Sequence, residues 1–178
     1  MNMLPSVTEI IEPWVDFSKV PPATLKAAGE RGTAVHEACA LYAQGIPVLS
    51  IPPEISGYVE SYKRWFDQLI DEVILVEERL FDYAIGYNGQ LDLVARTKGC
   101  EVWLVDLKSP VTLSKSWRVQ LSAYKNLYER MGEKIDRSGT LRLRSDGKIP
   151  KMDWYEGGAA KDFNIFLSAL NCHRFYKG

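Results

Sequence analysis

Val73-Ile74-Leu75-Val76, then Leu91-Asp92-Leu93-Val94-Ala95, then Glu101-Val102-Trp103-Leu104-Val105-Asp106-Leu107-Lys108: the reading of these three runs decides the fold. Each is short, apolar and rich in β-branched residues, the pattern of buried strands rather than helices. The first continues through Leu80 and Phe81 towards Tyr83. Asn88-Gly89 predicts a hairpin turn between the first and second runs. Lys98-Gly99 predicts the turn into the third, and Ser109-Pro110 ends it. The three runs therefore form a meander.

Helical spacing takes over on both sides. Thr8 is the expected N-cap of a first helix, with acidic residues in its first turn. Pro21-Pro22 opens a second helix to Ala43, expected to break or bend near Gly29–Gly32. Its second half, Thr33 to Tyr42, has small and apolar residues at helical steps. A helix over 54–71 turns Val59, Tyr62, Trp65, Phe66 and Leu69 inward. After the meander come a helix over 116–131, two strands within 137–155 around Ser145-Asp146-Gly147, and a helix over 159–175. Helices packed on a sheet give an α/β or α+β fold. One domain spanning 1–178 is expected, mainly helical over 1–72, with the sheet and its flanking helices over 73–178.

Composition supports a folded core, with 46% hydrophobic and 25% charged residues among 178. No run approaches the roughly 20 apolar residues of a membrane span. Met1–Pro13 carries Glu9 and Glu12 in place of a basic region and an apolar block, so no signal peptide is expected. The expectation is a cytoplasmic protein with no membrane partner. Cys39, Cys100 and Cys172 form no CxxC pair, which suggests neither a disulfide framework nor a zinc finger.

Asp92 and Asp106 each interrupt an apolar strand, where a carboxylate needs a partner or a shifted pKa. Lys108 lies two residues after Asp106 and therefore faces the same side of the strand. The neighbouring strand brings Asp92 alongside. Two carboxylates and an ammonium on one sheet face suit Mg²⁺ or Mn²⁺, with the Leu107 backbone carbonyl as a further ligand. The plainer alternative is two solvated strand-end aspartates with Lys108 as their ion-pair partner.

Gly89-Gln90-Leu91-Asp92, Val105-Asp106-Leu107-Lys108 and Gln120-Leu121-Ser122-Ala123-Tyr124, in that order, resemble motifs of the PD-(D/E)XK nuclease superfamily, in its RecB-like exonuclease branch. Gly32-Thr33-Ala34-Val35-His36-Glu37 is similar to that branch's helical motif. Pro5-Ser6-Val7-Thr8 is similar to the start of short, stand-alone phage and mitochondrial members. The resemblance implies a restriction-endonuclease-like core, a central mixed β-sheet flanked by helices, with an N-terminal helical segment. It implies His36, Asp92 and Asp106 as metal ligands and Lys108 as the catalytic lysine. It implies that Gln120 and Tyr124 organise the site and hold the DNA backbone. An acidic ligand from the strand before Asp92 is also implied; Glu78 is favoured over Glu77. Leu91 stands where the superfamily name has proline. Some members bind an iron–sulfur cluster through grouped cysteines; this chain lacks the group, so no cluster is expected. It also lacks a Walker A motif.

The net charge of -1 is a cancellation. Residues 1–106 hold 8 Lys and Arg against 16 Asp and Glu, and residues 107–178 hold 14 against 7. The basic half, with Lys115, Arg118, Lys125, Arg142 and Arg144, suits a phosphate backbone or is simply a solvated charged surface. Trp14, Trp117 and Tyr42 are candidate stacking platforms or core residues. The expectation is a Mg²⁺- or Mn²⁺-dependent DNA exonuclease serving recombination, replication or DNA processing in a bacterial or phage-infected cell, alongside a recombination or replication protein. Its alternatives are a structure-specific endonuclease on the same site and a non-catalytic DNA-binding module of nuclease descent. Residues 9–45 are expected to bring His36 to the sheet edge and close over the site.

Overall fold

Ser6 starts the first helix. In the computed structural model, which describes residues 4–16, 18, 20–109 and 113–177, its hydroxyl accepts the Glu9 N–H at 3.2 Å. The Glu9 carboxylate accepts the Ser6 N–H at 2.7 Å. This reciprocal capping box opens α1 (Val7–Ile11). Thr8 is therefore not the cap but a residue of the first turn, because Ser6 and Glu9 already satisfy two end donors.

A short 3₁₀ turn (Glu12–Trp14) leads to α2 (Pro22–Ala43) and α3 (Pro53–Leu69), each with proline at its first position. Contrary to expectation, α2 runs unbroken through Gly29 and Gly32. A Cβ at either glycine would meet nothing within 4 Å. No packing demand bends the helix there, and Val35, Ala38 and Cys39 anchor its second half in the core. On α3, Val59, Tyr62 and Trp65 are buried as the spacing predicts, each contributing about 1.5–3 kcal/mol relative to exposure.

The strands are β1 (Ile70–Asp82), β2 (Tyr87–Thr97) and β3 (Val102–Lys108), then, after α4 (Ser116–Glu129), β4 (Arg137–Arg142) and β5 (Lys151–Trp154). Helix α5 (Ala159–Lys177) follows. Spatial order equals chain order, and only β3 and β4 pair in parallel. A parallel step needs a crossover, which α4 supplies. The architecture is α+β, a mixed sheet flanked by helices with an N-terminal helical segment. Strand β3 stops at Lys108; Pro110, the expected stop, lies outside the described residues.

The first hairpin turns earlier than Asn88-Gly89. Asp82 Oδ1 accepts the N–H groups of Ala84 and Ile85, and the Asp82 carbonyl accepts Gly86 N–H, with Gly86 at φ 84°. This side-chain turn ends β1 at Asp82 and leaves Asn88 and Gly89 inside β2. Gly89 is needed for another reason: a Cβ there would lie 2.7 Å from Tyr124 Cε1 of α4.

Helices α1, α4 and α5 cover one face of the sheet, over Leu80, Tyr87, Val94 and Leu104. Helices α2 and α3 cover the other, over Leu93, Ala95, Val105 and Leu107. Among the described residues, no helix is long and apolar enough to cross a membrane.

Candidate functional site

Strands β2 and β3 part company halfway along. Their pairing runs from Arg96↔Val102 to Leu93↔Val105 and stops, whereas β3 stays paired with β4 through Lys108↔Arg142. Past the fork, Leu107 N–H donates to Asp92 Oδ2 at 2.6 Å. A carboxylate thus replaces the ladder bond that the diverging strand no longer supplies.

The β1–β2 ribbon also turns over at this level. Leu75 and Val94 lie on the α4 face, and so do Leu80 and Leu91, but Leu93 between them packs on the α2–α3 face. The reversal centres on Glu77, whose φ of 48° places a non-glycine residue in the left-handed region. Such a conformation costs of order 1–3 kcal/mol and recurs at functional sites.

The consequence corrects the expected ligand. Simple alternation sends one of Glu77 and Glu78 towards the site, and the residue expected there is Glu78. Glu78 is exposed and lines a different cleft, with Glu72, Arg96 and Tyr128. Glu77 Oε1 instead lies 3.6 Å from His36 Nδ1, and Asp92 Oδ1 lies 3.5 Å from the same nitrogen. His36, Glu77 and Asp92 offer ligand atoms all within 4.8 Å of one another. Gln90, part of the Gly89-Gln90-Leu91-Asp92 motif but given no role from the sequence, holds Glu77: its amide donates to Glu77 Oε2 at 2.6 Å.

Helix α2 carries His36 to this point. Its Nε2 donates to the Leu107 carbonyl at 3.0 Å, which leaves Nδ1 facing the two carboxylates. The Leu107 carbonyl, expected as a ligand, therefore orients the imidazole here, an arrangement common behind ligating histidines. Burial disfavours a charged His36, but Asp92 and Glu77 outweigh it and raise its pKa to about 10. Burial also pushes Asp92 up, yet His36, Lys108 and the Leu107 N–H outweigh that and hold it below its ordinary range.

Asp106 and Lys108 lie beside this group on the α4 side. Asp106 is 1% exposed, and its Oδ2 meets Lys108 Nζ at 2.7 Å. Burial pushes Asp106 up to about 6, with Asp92 adding to the effect and Lys108 opposing it. Burial disfavours the Lys108 ammonium, but Asp106 and Asp92 outweigh it and raise its pKa. Lys108 Nζ also donates to Gln120 Oε1 at 3.3 Å, and Gln120 Nε2 donates to Tyr124 Oη at 2.8 Å. The Gln120–Tyr124 pair on one face of α4 thus ties the lysine to the core, and the Trp117 ring lies 5.8 Å from Nζ. The solvated strand-end alternative fails for Asp92 and Asp106, which are both buried.

The other candidates disperse. Lys125 Nζ bonds the Ile135 carbonyl at 2.8 Å and Glu129 at 3.0 Å. Arg118 Nε contacts both carboxylate oxygens of Asp162, at 3.0 and 2.9 Å. Arg142 pairs with Asp153, and Arg144 with Asp146. Lys115 is exposed, and with Arg118, Trp14 and Ile165 it lines a groove of about 610 Å³ that none of the site carboxylates reach. Trp117 is buried, and Tyr42 donates to Asp67 at 2.8 Å. Trp14 is 65% exposed.

The donor set fits a hard divalent cation. Glu77 Oε1 is buried without a hydrogen bond among the described residues and has His36 Nδ1 3.6 Å away as its ion-pair partner, a position that a cation could also occupy. Two carboxylates and one imidazole nitrogen could hold a divalent cation, with solvent or substrate oxygens as further ligands. Comparison with models of known protein families and with curated proteins gives no match for this chain.

Proposed function

We propose that this chain is a metal-dependent deoxyribonuclease, acting as an exonuclease that hydrolyses phosphodiester bonds. One observation carries the reading. His36, Glu77, Asp92, Asp106 and Lys108 come from α2, β1, β2 and β3 and converge at the fork where β2 leaves β3. The motif resemblance supports it, with Glu77 taking the place expected of Glu78.

His36, Glu77 and Asp92, with Asp106 beside them, hold Mg²⁺ or Mn²⁺ in this reading. The ion supplies neutralisation of phosphate charge and lowers the pKa of water at the site. Lys108 keeps its proton in the metal-free protein, since the neighbouring carboxylates stabilise the ammonium. It therefore serves to orient the attacking water and to balance charge developing on the phosphate. Gln120 fixes Lys108, Tyr124 fixes Gln120, and Gln90 fixes Glu77.

The test is cleavage of end-labelled linear and covalently closed circular DNA, single- and double-stranded, with Mg²⁺, Mn²⁺ or EDTA. Degradation of linear DNA alone is expected. Cutting of circles assigns the site to an endonuclease. Absence of cleavage in either metal, or cleavage undiminished in Asp106→Ala and Lys108→Ala, overturns the proposal.

A further inference from the structure

Beyond Glu77, β1 carries a run of outward side chains that the hydrolytic site does not use. Past the turnover the strand alternates regularly, with Leu80 and Asp82 buried on the α4 side. Arg79 and Phe81 face the opposite way, and Tyr83 continues the row at the hairpin tip. Phe81 is 47% and Tyr83 80% exposed. Their rings stack on one another, centroids 5.8 Å apart and planes within 9°.

Arg79 joins this pair to the candidate metal group. Its guanidinium donates to Asn88 Oδ1 at 2.6 Å and to Gln90 Oε1 at 3.0 Å. Gln90 in turn donates to Glu77. Both acceptors of Arg79 are neutral amides, so its positive charge is positioned without being neutralised by them. The other exposed-face cations of the molecule mostly meet carboxylates, as at Arg64–Glu60, Arg96–Glu72 and Arg137–Glu156.

We propose that this outer face of the β1–β2 ribbon, Arg79 followed by the Phe81–Tyr83 stack, is a track for single-stranded DNA running to the His36–Glu77–Asp92 group. The proposal rests on the nuclease reading for its direction and names the form of substrate that the site receives. The six residue steps from Glu77 to Tyr83, nearly all within β1, span roughly 20 Å, enough for a short stretch of unpaired chain. A fixed cation meets a phosphate next to the hydrolytic centre, and sequence-tolerant stacking on aromatic rings holds the bases beyond it. Base faces are accessible for such stacking only in an unpaired strand, so the track discriminates against duplex.

The experiment is fluorescence anisotropy of a labelled oligothymidylate, and of its duplex with oligodeoxyadenylate, in EDTA so that binding is read without cleavage. Phe81→Ala and Tyr83→Ala are expected to weaken single-strand binding about ten-fold each and to leave duplex binding within about two-fold. Tyr83→Phe is expected to keep wild-type affinity, because the ring stacks and the hydroxyl does not. Arg79→Gln is expected to reduce the steepness of log Kd against log salt by about 0.7, the loss of one phosphate contact on a single strand. Circular dichroism of each variant checks that the fold is retained.

Unchanged single-strand affinity in Phe81→Ala and Tyr83→Ala overturns the track. So does a wild-type protein that binds no oligothymidylate, or loss of self-association by the two variants with DNA affinity intact, which assigns the rings to an interface between copies. Cleavage by the wild type with no effect of the variants on binding removes the track and leaves the nuclease. Ring-dependent binding without cleavage in any metal does the reverse.

Discussion

The Asp92 carboxylate and the Leu107 N–H meet at 2.6 Å, just past the last rung that joins β2 to β3. One residue therefore closes the open end of the sheet and faces the imidazole of His36. Asp92→Ala leaves the Leu107 donor buried without a partner and is expected to cost about 1–3 kcal/mol. Asp92→Asn keeps an acceptor oxygen in place and is expected to retain most of the stability while abolishing cleavage. Urea unfolding of the two variants, set beside a nuclease assay, separates the roles.

Lys108→Met removes the partner of a carboxylate that is 1% exposed. The variant is expected to lose up to about 3–5 kcal/mol near neutral pH, because Asp106, already pushed up to about 6, must then take up a proton or stay buried as an unpaired charge. Adding Asp106→Leu is expected to recover most of that loss, since both members of the pair are then gone. Activity is expected to fall at least about 10²-fold in Lys108→Met and to stay low in the double variant. Denaturant midpoints for the three proteins check the stability pattern.

Mn²⁺ at a hundred times its Kd is expected to raise wild-type stability by about 2.7 kcal/mol through mass action. Glu77→Gln is expected to abolish this gain and Glu78→Gln to preserve it, since only Glu77 faces His36 and Asp92. Thermal melts with Mn²⁺ and with EDTA decide between the two glutamates.

The pH dependence follows from His36 and Asp106. His36 is raised from 6.5 to about 10, so its contribution to stability is complete below 6.5 and is lost as pH rises through about 10. Asp106 is raised from 3.8 to about 6, so its contribution is present below 3.8 and lost as pH rises through about 6. Asp92, held low, acts oppositely, contributing above 3.8 and losing that contribution as pH falls. The metal-free wild type is expected to lose stability between pH 6.5 and 10 relative to His36→Gln, the two converging at the alkaline end. Because a bound cation needs a neutral imidazole and ionised carboxylates, Mn²⁺ binding is expected to release protons and to tighten with pH. Calorimetry in buffers of different ionisation enthalpy measures that release.

The sequence by itself determined the strands, because their period and composition differ sharply from the helices around them, and it determined the Asp106–Lys108 pair, because i and i+2 must share a strand face. The Gln120–Tyr124 pair was legible for the same kind of reason, through helical spacing. Only the tertiary structure decided where the hairpin turns, since Asp82 builds a turn from its own side chain while Asn88-Gly89 is held straight by pairing with β1. Only the tertiary structure chose Glu77 over Glu78. Alternation is a property of regular strand, and the left-handed backbone at Glu77 reverses the two faces at the level where His36 arrives from a helix 41 residues earlier in the chain.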